Sequence, residues 1–411
     1  MKKATQQQSK EHNRNLALKT IFEHSSISRA EIARLTGLTR TTVSDIVADL
    51  IDEGLVEEVG IGASQGGKSP ILLEIVPDSR YIIGLDLAHS QFRGAIVNLR
   101  GQIRELVATP LNDRDGEGAL AILFDMLDHL YQAQYRPLIG IGVGTPGLVN
   151  TGAGLVINAV NLDWRNLPLA ELVQSRYPLP VAVLNDSQAA AMAEFTYGKG
   201  HNVDSHLVVI NVQHGIGSGI ILNGRLFQGD GGGAGEIGHI VVVPEGGQAC
   251  RCGKHGCLET VASAQAILQR VREIARQSPG DADLPTWAEI NLDTLINAFL
   301  AGNPTVRRIV VETGRALGLA ISSLVGTLNI HNIILRGEVT RFGPLWLEAV
   351  RDTARQYSLT EPAQDTRIEI GESVGEGVIL GASAMLAGEY SLLFLKRTAD
   401  NYLMGRQRGI Q

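Results

Sequence analysis

His-Leu-Val-Val-Ile-Asn-Val at 206–212, Ser-Gly-Ile-Ile-Leu at 218–222, and Asn223-Gly224 ahead of Arg225, Leu226 and Phe227 read as strand, loop, strand, tight turn, strand. An Asn-Gly pair between apolar runs is a strong short-range hairpin signal, because both residues accept the positive φ that the tight turn demands. The same unit occurs earlier in the chain. Tyr-Ile-Ile-Gly-Leu-Asp-Leu at 81–87 and Arg-Gly-Ala-Ile-Val-Asn-Leu at 93–99 lead to a turn at Arg100-Gly101 and a third short run ending at 104. Helical segments follow both copies. A duplicated three-stranded start followed by α/β crossovers predicts two similar lobes with a cleft between them, where ligands of such proteins sit.

The second copy is followed by a dense group of metal-ligating residues. All three cysteines of the chain, Cys250, Cys252 and Cys257, fall within eight residues, with His239 eleven positions upstream. Thiolates bind zinc in tetrahedral sites, and a Cys-x-Cys-x4-Cys knuckle with Gly253 and Gly256 can wrap three sulfurs round one ion, leaving His239 as fourth ligand. One structural Zn2+ per chain is expected. His255, inside the knuckle, is the rival fourth ligand, and three reduced thiols on a loop are the alternative to a metal. Gly-Glu-Ile-Gly-His at 235–239 and Cys-Leu-Glu at 257–259 set two carboxylates, Glu236 and Glu259, beside the knuckle.

Composition fits a globular α/β chain: 411 residues, 44% of them apolar, with 47 glycines. The first fifteen residues are polar and no uninterrupted apolar run reaches bilayer length, so no membrane association and a cytoplasmic location are expected. The net charge of −7 argues against a protein that coats nucleic acid. Residues 1–44 are nevertheless basic, with eight Lys and Arg against three Glu, whereas 45–58 hold six acids and no base.

That basic segment reads as a winged helix-turn-helix. Leu16, Ile21 and Phe22 mark a first helix. Ser28 with Glu31 forms a capping box that opens a second, Gly37 closes it, and Thr39 caps a third containing Val43, Ile46, Val47 and Leu50. The third helix offers Arg40, Thr41, Thr42 and Ser44 to base edges in a major groove, with Asp45, Asp49, Asp52 and Glu53 expected on its rear or far end. Two strand-like runs, Leu-Val-Glu-Glu-Val at 55–59 and Ile-Leu-Leu-Glu-Ile at 71–75, enclose a wing with Lys68 near its tip.

This head, Gly-Val-Gly-Thr-Pro-Gly-Leu-Val at 142–149, Leu-Asn-Asp-Ser-Gln-Ala-Ala-Ala-Met-Ala-Glu at 184–194, Gly-Glu-Ile-Gly-His and the knuckle together resemble the ROK family of repressors and sugar kinases, over residues 12 to about 390. The resemblance implies two actin-like, ribonuclease H-like lobes behind the head. It divides the chain into a winged helix at 1–78, a two-lobed sugar-binding and oligomerisation domain at 79–390 and a C-terminal tail at 391–411. It further implies that Asn161, Asn185, Asp186, Glu236, His239 and Glu259 hold sugar hydroxyls, His239 also lending one ring nitrogen to zinc. In the family's kinases a residue matching Asp186 takes the proton from the sugar hydroxyl. Their glycine-rich phosphate loops are altered here: Asp86 is followed by Leu87, Ala88, His89 and Ser90; the second loop reads Gln213, His214, Gly215, Ile216, Gly217; and Arg336, Gly337, Glu338 stand where the kinases carry three glycines.

The expected function is a DNA-binding regulator, most simply a repressor released from its operator by a monosaccharide or sugar phosphate and working as a homodimer or dimer of dimers. An ATP-dependent sugar kinase with a DNA-binding appendage is the rival, because Asp186 is present.

Overall fold

The computed structural model describes residues 6–63, 69–88, 90–198, 206–277, 289–371 and 376–388. Its contacts divide the chain into two compact units, Met1–Gly147 with Ala153–Leu184 and Ala382–Gln411, and Leu148–Gly152 with Asn185–Gly381.

The first unit begins with α1 (Gln6–Glu23), β1 (Ile27–Ser28), α2 (Arg29–Thr36), α3 (Arg40–Asp52), β2 (Val56–Ile61) and β3 (Ile71–Ile75). The caps lie where the sequence puts them. The Ser28 hydroxyl accepts from the Glu31 N–H at 3.2 Å, Gly37 ends α2 at a φ of 71°, and the Thr39 hydroxyl accepts from the Thr42 N–H at 3.2 Å. β2 and β3 pair antiparallel as the wing, and β1 adds a third strand in the order β1-β3-β2. At two residues, β1 is too short for periodicity to reveal. The wing residues 64–68, Lys68 among them, lie outside the described residues.

The head falls in the same compact unit as the lobe that follows it. Its core of Leu18, Ile21, Ile32, Val43, Val47 and Leu50 is continuous with Ile82, Leu99 and Ile139 of the following lobe. That lobe comprises β4 (Tyr81–Leu87), β5 (Gln91–Asn98), β6 (Ile103–Pro110), α4 (Gly116–Gln132) and β7 (Leu138–Thr145). After β8 (Leu148–Asn150), which belongs to the second unit, it resumes with β9 (Leu155–Ala159), β10 (Trp164–Leu167), α5 (Leu169–Arg176) and β11 (Val181–Asn185). The sheet order is β11-β7-β4-β5-β6, antiparallel through β4, β5 and β6 and parallel between β4 and β7. Arg100, in the turn after β5, donates to the carbonyls of Phe22 at 2.8 Å and His24 at 3.1 Å, and its guanidinium stacks on the Phe22 ring.

The second unit repeats the plan. α6 (Asp186–Tyr197) is followed by β12 (Leu207–Val212), β13 (Ile216–Leu222) and β14 (Arg225–Phe227), then α7 (Glu259–Ala262), α8 (Ala264–Gln277), α9 (Leu292–Leu300) and α10 (Pro304–Leu328). β15 (Asn332–Arg336), α11 (Pro344–Tyr357), α12 (Thr360–Asp365), β16 (Arg367–Ile370) and α13 (Gly377–Ala387) complete it, the last crossing back to the first unit. The order β14-β13-β12-β15-β16 repeats that of the first sheet, and Asn223 and Gly224 turn the hairpin with φ of 53° and 71°.

α10 is long and apolar enough, by length and composition, to cross a membrane. Arg307, Arg308, Glu312 and Arg315 interrupt its apolar residues in sequence, but on a helix Val306, Ile309, Val310, Leu317, Ile321 and Val325 gather into one buried face. Gly314 and Gly318 let α11 approach: a Cβ at Gly318 would lie 2.4 Å from the Val350 carbonyl oxygen. The tail at 391–411 lies outside the described residues.

Candidate functional site

The knuckle closes as its glycines require. Gly253 and Gly256 hold φ of 85° and 71°, and a Cβ on Gly256 would lie 1.8 Å from the Val243 carbonyl oxygen, so only glycine fits. One potential ligand atom from each of His239, Cys250, Cys252 and Cys257 comes within 4.8 Å of the others. Cys252 Sγ and Cys257 Sγ are 3.6 Å apart, as are Cys250 Sγ and His239 Nδ1. Tetrahedral bonds near 2.3 Å give edges of roughly 3.8 Å, which the two 3.6 Å separations approach, so the chemistry of this donor set suits zinc. Burial pushes the Cys257 thiol up to about 12, with the neighbouring sulfurs adding to the shift; Cys252, against its own desolvation, is held low by the Lys254 backbone N–H and the adjacent thiols. Such crowding favours exchanging the thiol protons for a divalent cation. His255 is exposed and stands outside the group, which leaves His239 as the nitrogen donor.

Beside the knuckle lies a cluster of carboxylates. With its Nδ1 directed at the sulfurs, His239 presents Nε2 to Glu236 Oε2 at 3.8 Å. The Glu236 carboxyl is raised above the usual range by desolvation, eased by His239 and increased by the Asp186 and Glu259 carboxylates. Asp186 keeps some accessible surface but is enclosed by protein atoms, and this desolvation raises its carboxyl even though Oδ1 accepts from the Ser187 N–H at 2.6 Å and hydroxyl at 3.2 Å. Asn185 caps α6, its Oδ1 accepting from Ser187 N–H at 2.9 Å. Glu259 accepts from the Ile216 N–H at 3.1 Å and faces Arg251 at 3.5 Å. A side chain at Gly215 would put its Cβ 2.4 Å from Glu259 Oε2, so this glycine makes room for the carboxylate.

Five of the six expected sugar residues therefore come from one compact unit; only Asn161, in a 3-10 turn at Val160–Leu162, belongs to the other. The chain crosses into the second unit at Asn185 itself. Sequence reading also missed Arg251 and the Ile216 N–H, since nothing in a linear motif shows that Glu259 reaches back to the β12–β13 turn.

In the head, Arg40, Thr41 and Ser44 are exposed and Thr42 is half-buried. Arg34 pairs with Glu31 inside the basic segment, and Arg14 and Arg29 pair with Glu53 and Glu58 beyond it, which offsets two of its surplus charges. Glu53 lies at the far end of α3 as expected, but Asp45 is not on the rear. Four residues from Thr41, it shares that residue's exposed face, because α3 buries Val43, Ile46, Val47 and Leu50 on the opposite side.

Two family descriptions match the chain: a winged helix-turn-helix DNA-binding segment at residues 12–57 and the ROK family at 82–389. The chain belongs to the ROK family, and within it to the sugar-responsive transcriptional repressors that carry a winged helix. It is 34% identical to the xylose repressor of Caldicellulosiruptor bescii over 92% of this chain and 96% of that one. A glucokinase of Halalkalibacterium halodurans is 33% identical over 74% of this chain and 93% of its own length. Among solved structures, a ROK family transcriptional regulator homologous to the E. coli MLC protein superposes with a TM-score of 0.81 at 28% identity, over 94% of this chain and 98% of that one.

Proposed function

We propose that this cytoplasmic repressor binds a pseudo-palindromic operator as a homodimer, or as a dimer of dimers, and releases it when a neutral monosaccharide occupies the carboxylate cluster. Arg40, Thr41, Thr42, Ser44 and the wing's Lys68 face DNA; Asn161, Asn185, Asp186, Glu236, His239 and Glu259 hold sugar hydroxyls. His239, Cys250, Cys252 and Cys257 bind one zinc, which fixes the ring of His239. A single winged helix makes few base contacts, so a paired site is required for specificity.

The observation that carries the ligand class is the charge at the cluster. Asp186 and Glu259 lie near enough to add to the desolvation that raises the Glu236 carboxyl, and Arg251 is the one Lys or Arg side chain paired with these three among the described residues. Carboxylates bind hydroxyl pairs well and repel a phosphate. That the C. bescii relative is a xylose repressor agrees with a neutral sugar.

The same residues argue against phosphoryl transfer. The Ile216 N–H, in the loop that would cradle a phosphate, is taken by Glu259, and the Arg336 guanidinium is buried against Glu194 at 3.5 Å and the Ala190 carbonyl at 3.1 Å. The glucokinase relative keeps the kinase reading in view, and one set of titrations separates the two. A labelled operator should lose affinity on addition of a neutral pentose or hexose, with no sugar phosphorylated when ATP is added. A saturating-sugar effect below about twofold, roughly 0.4 kcal/mol of coupling, would refute the release mechanism. Response to sugar phosphates alone would move the anionic group to Arg251, and ATP turnover would restore the kinase.

A further inference from the structure

The exposed face of α3 carries a charge that a phosphate-contacting helix would not be expected to keep. Asp45 sits there beside Ser44 and one turn from Thr41, opposite the buried Val43, Ile46, Val47 and Leu50. Glu31, Glu53 and Glu58 of the head are each held by an arginine; Asp45, like Asp49 and Asp52 further along α3, is held by none among the described residues, and of these three it lies nearest the N-terminal end of the helix. It lines a shallow cleft with Lys10 and Asn13 of α1 and with Thr42, Ile46, Ala48 and Asp49 of its own helix. In sequence-independent binding such a carboxylate is a liability, since it opposes the phosphates that supply most of the affinity.

We propose that Asp45 is a specificity residue that reads a cytosine in the major groove, accepting from its exocyclic N4 amine; the proposal rests on the reading of the head as DNA-binding. An ionised carboxylate can only accept. Guanine offers N7 and O6 acceptors there, and thymine an O4 acceptor beside a methyl group, so both repel or ignore it. Adenine sets its N7 acceptor next to its N6 amine, where one carboxylate oxygen would face a lone pair. Cytosine presents the amine alone. Asp45 thus contributes more by rejecting wrong bases than by attraction to the right one, which suits a helix whose cationic contacts come from Arg40 and, across the cleft, Lys10.

The test is selection of binding sites from a random duplex pool by the full-length protein, by Asp45→Asn and by Asp45→Ala, with thermal melting to confirm that both variants fold. The wild type should enrich a motif with cytosine at one position of each half-site. Asp45→Ala should relax that position alone, its penalty for a wrong base falling roughly tenfold. Asp45→Asn should move the preference towards adenine, whose N6 and N7 an amide matches. An identical motif for wild type and Asp45→Ala overturns the proposal. So does a uniform gain in affinity for all sequences, which would make Asp45 a repeller only. A wild type that selects no motif would instead fail the DNA-binding reading itself.

Discussion

The two five-stranded sheets share one strand order but differ in what their loops carry. In the first, the turn after β5 holds Arg100, which grips the end of α1 and ties the winged head to the lobe. In the second, the matching Asn223-Gly224 turn bonds to His206 of its own unit, the Asn223 N–H donating to Nδ1 at 3.2 Å. The connection after the hairpin differs as well. The first sheet passes from β6 to α4 through residues 111–115, whereas the second passes from β14 to α7 through 228–258, which hold His239, the three cysteines and Glu236. The two copies thus keep one sheet and differ in their loops, one copy holding the winged head and the other the His/Cys group with its carboxylates.

The comparison breaks most severely at the knuckle. Cys257→Ser removes a fully buried sulfur from the four-atom group, so metal should fall from about one zinc per chain to near zero and the second unit should melt well below the wild type. The head belongs to the first unit, so operator binding at low temperature should survive while the sugar response is lost. Elemental analysis with paired operator titrations reads both effects. Full metal retention would show that Cys257 is not a ligand.

Breaking the first copy should cost less. Arg100→Ala deletes two charge-assisted hydrogen bonds and a stacking contact on a partly exposed surface, worth about 1–3 kcal/mol together. Hydrogen exchange should quicken around residues 18–27, with zinc content and sugar affinity unchanged. Unaltered exchange there would mean that the shared core of Ile82, Leu99 and Ile139 holds the head without help.

Arg100 also marks where sequence reading stops. The caps at Ser28, Gly37 and Thr39, the paired three-stranded starts and the knuckle were all legible, because each is a local pattern with a local physical cause. The grip of Arg100 on carbonyls more than seventy residues away was not, and neither was the use of the Ile216 N–H by Glu259, since both depend on tertiary approach. Asp45 was misplaced for a different reason. Its charge suggested the rear of α3, but the 3.6-residue period of the buried positions assigns its face, and here period overrides charge.

The smallest expected effect sharpens the comparison within the second unit, because it concerns a residue kept at a cost to stability. Burial raises the Asp186 carboxyl above its ordinary range, so between the unfolded and folded values the native state binds more protons than the unfolded chain. With that sign, stability falls as pH rises through the window, and the favourable contribution of the neutral acid is complete only below the unfolded carboxylate value, near 3.9. Glu236 is shifted in the same direction and adds to the slope. Asp186→Asn keeps an oxygen for the Ser187 N–H and removes the buried charge, so at neutral pH the variant should be more stable by roughly 0.5–1 kcal/mol, with a stability profile that falls less steeply as pH rises above the ordinary carboxylate range. It should still bind operator and fail to release it with sugar. Denaturant titrations at several pH values test the first part. Superimposable profiles for wild type and variant would mean that water reaches Asp186 and that its charge carries no folding cost.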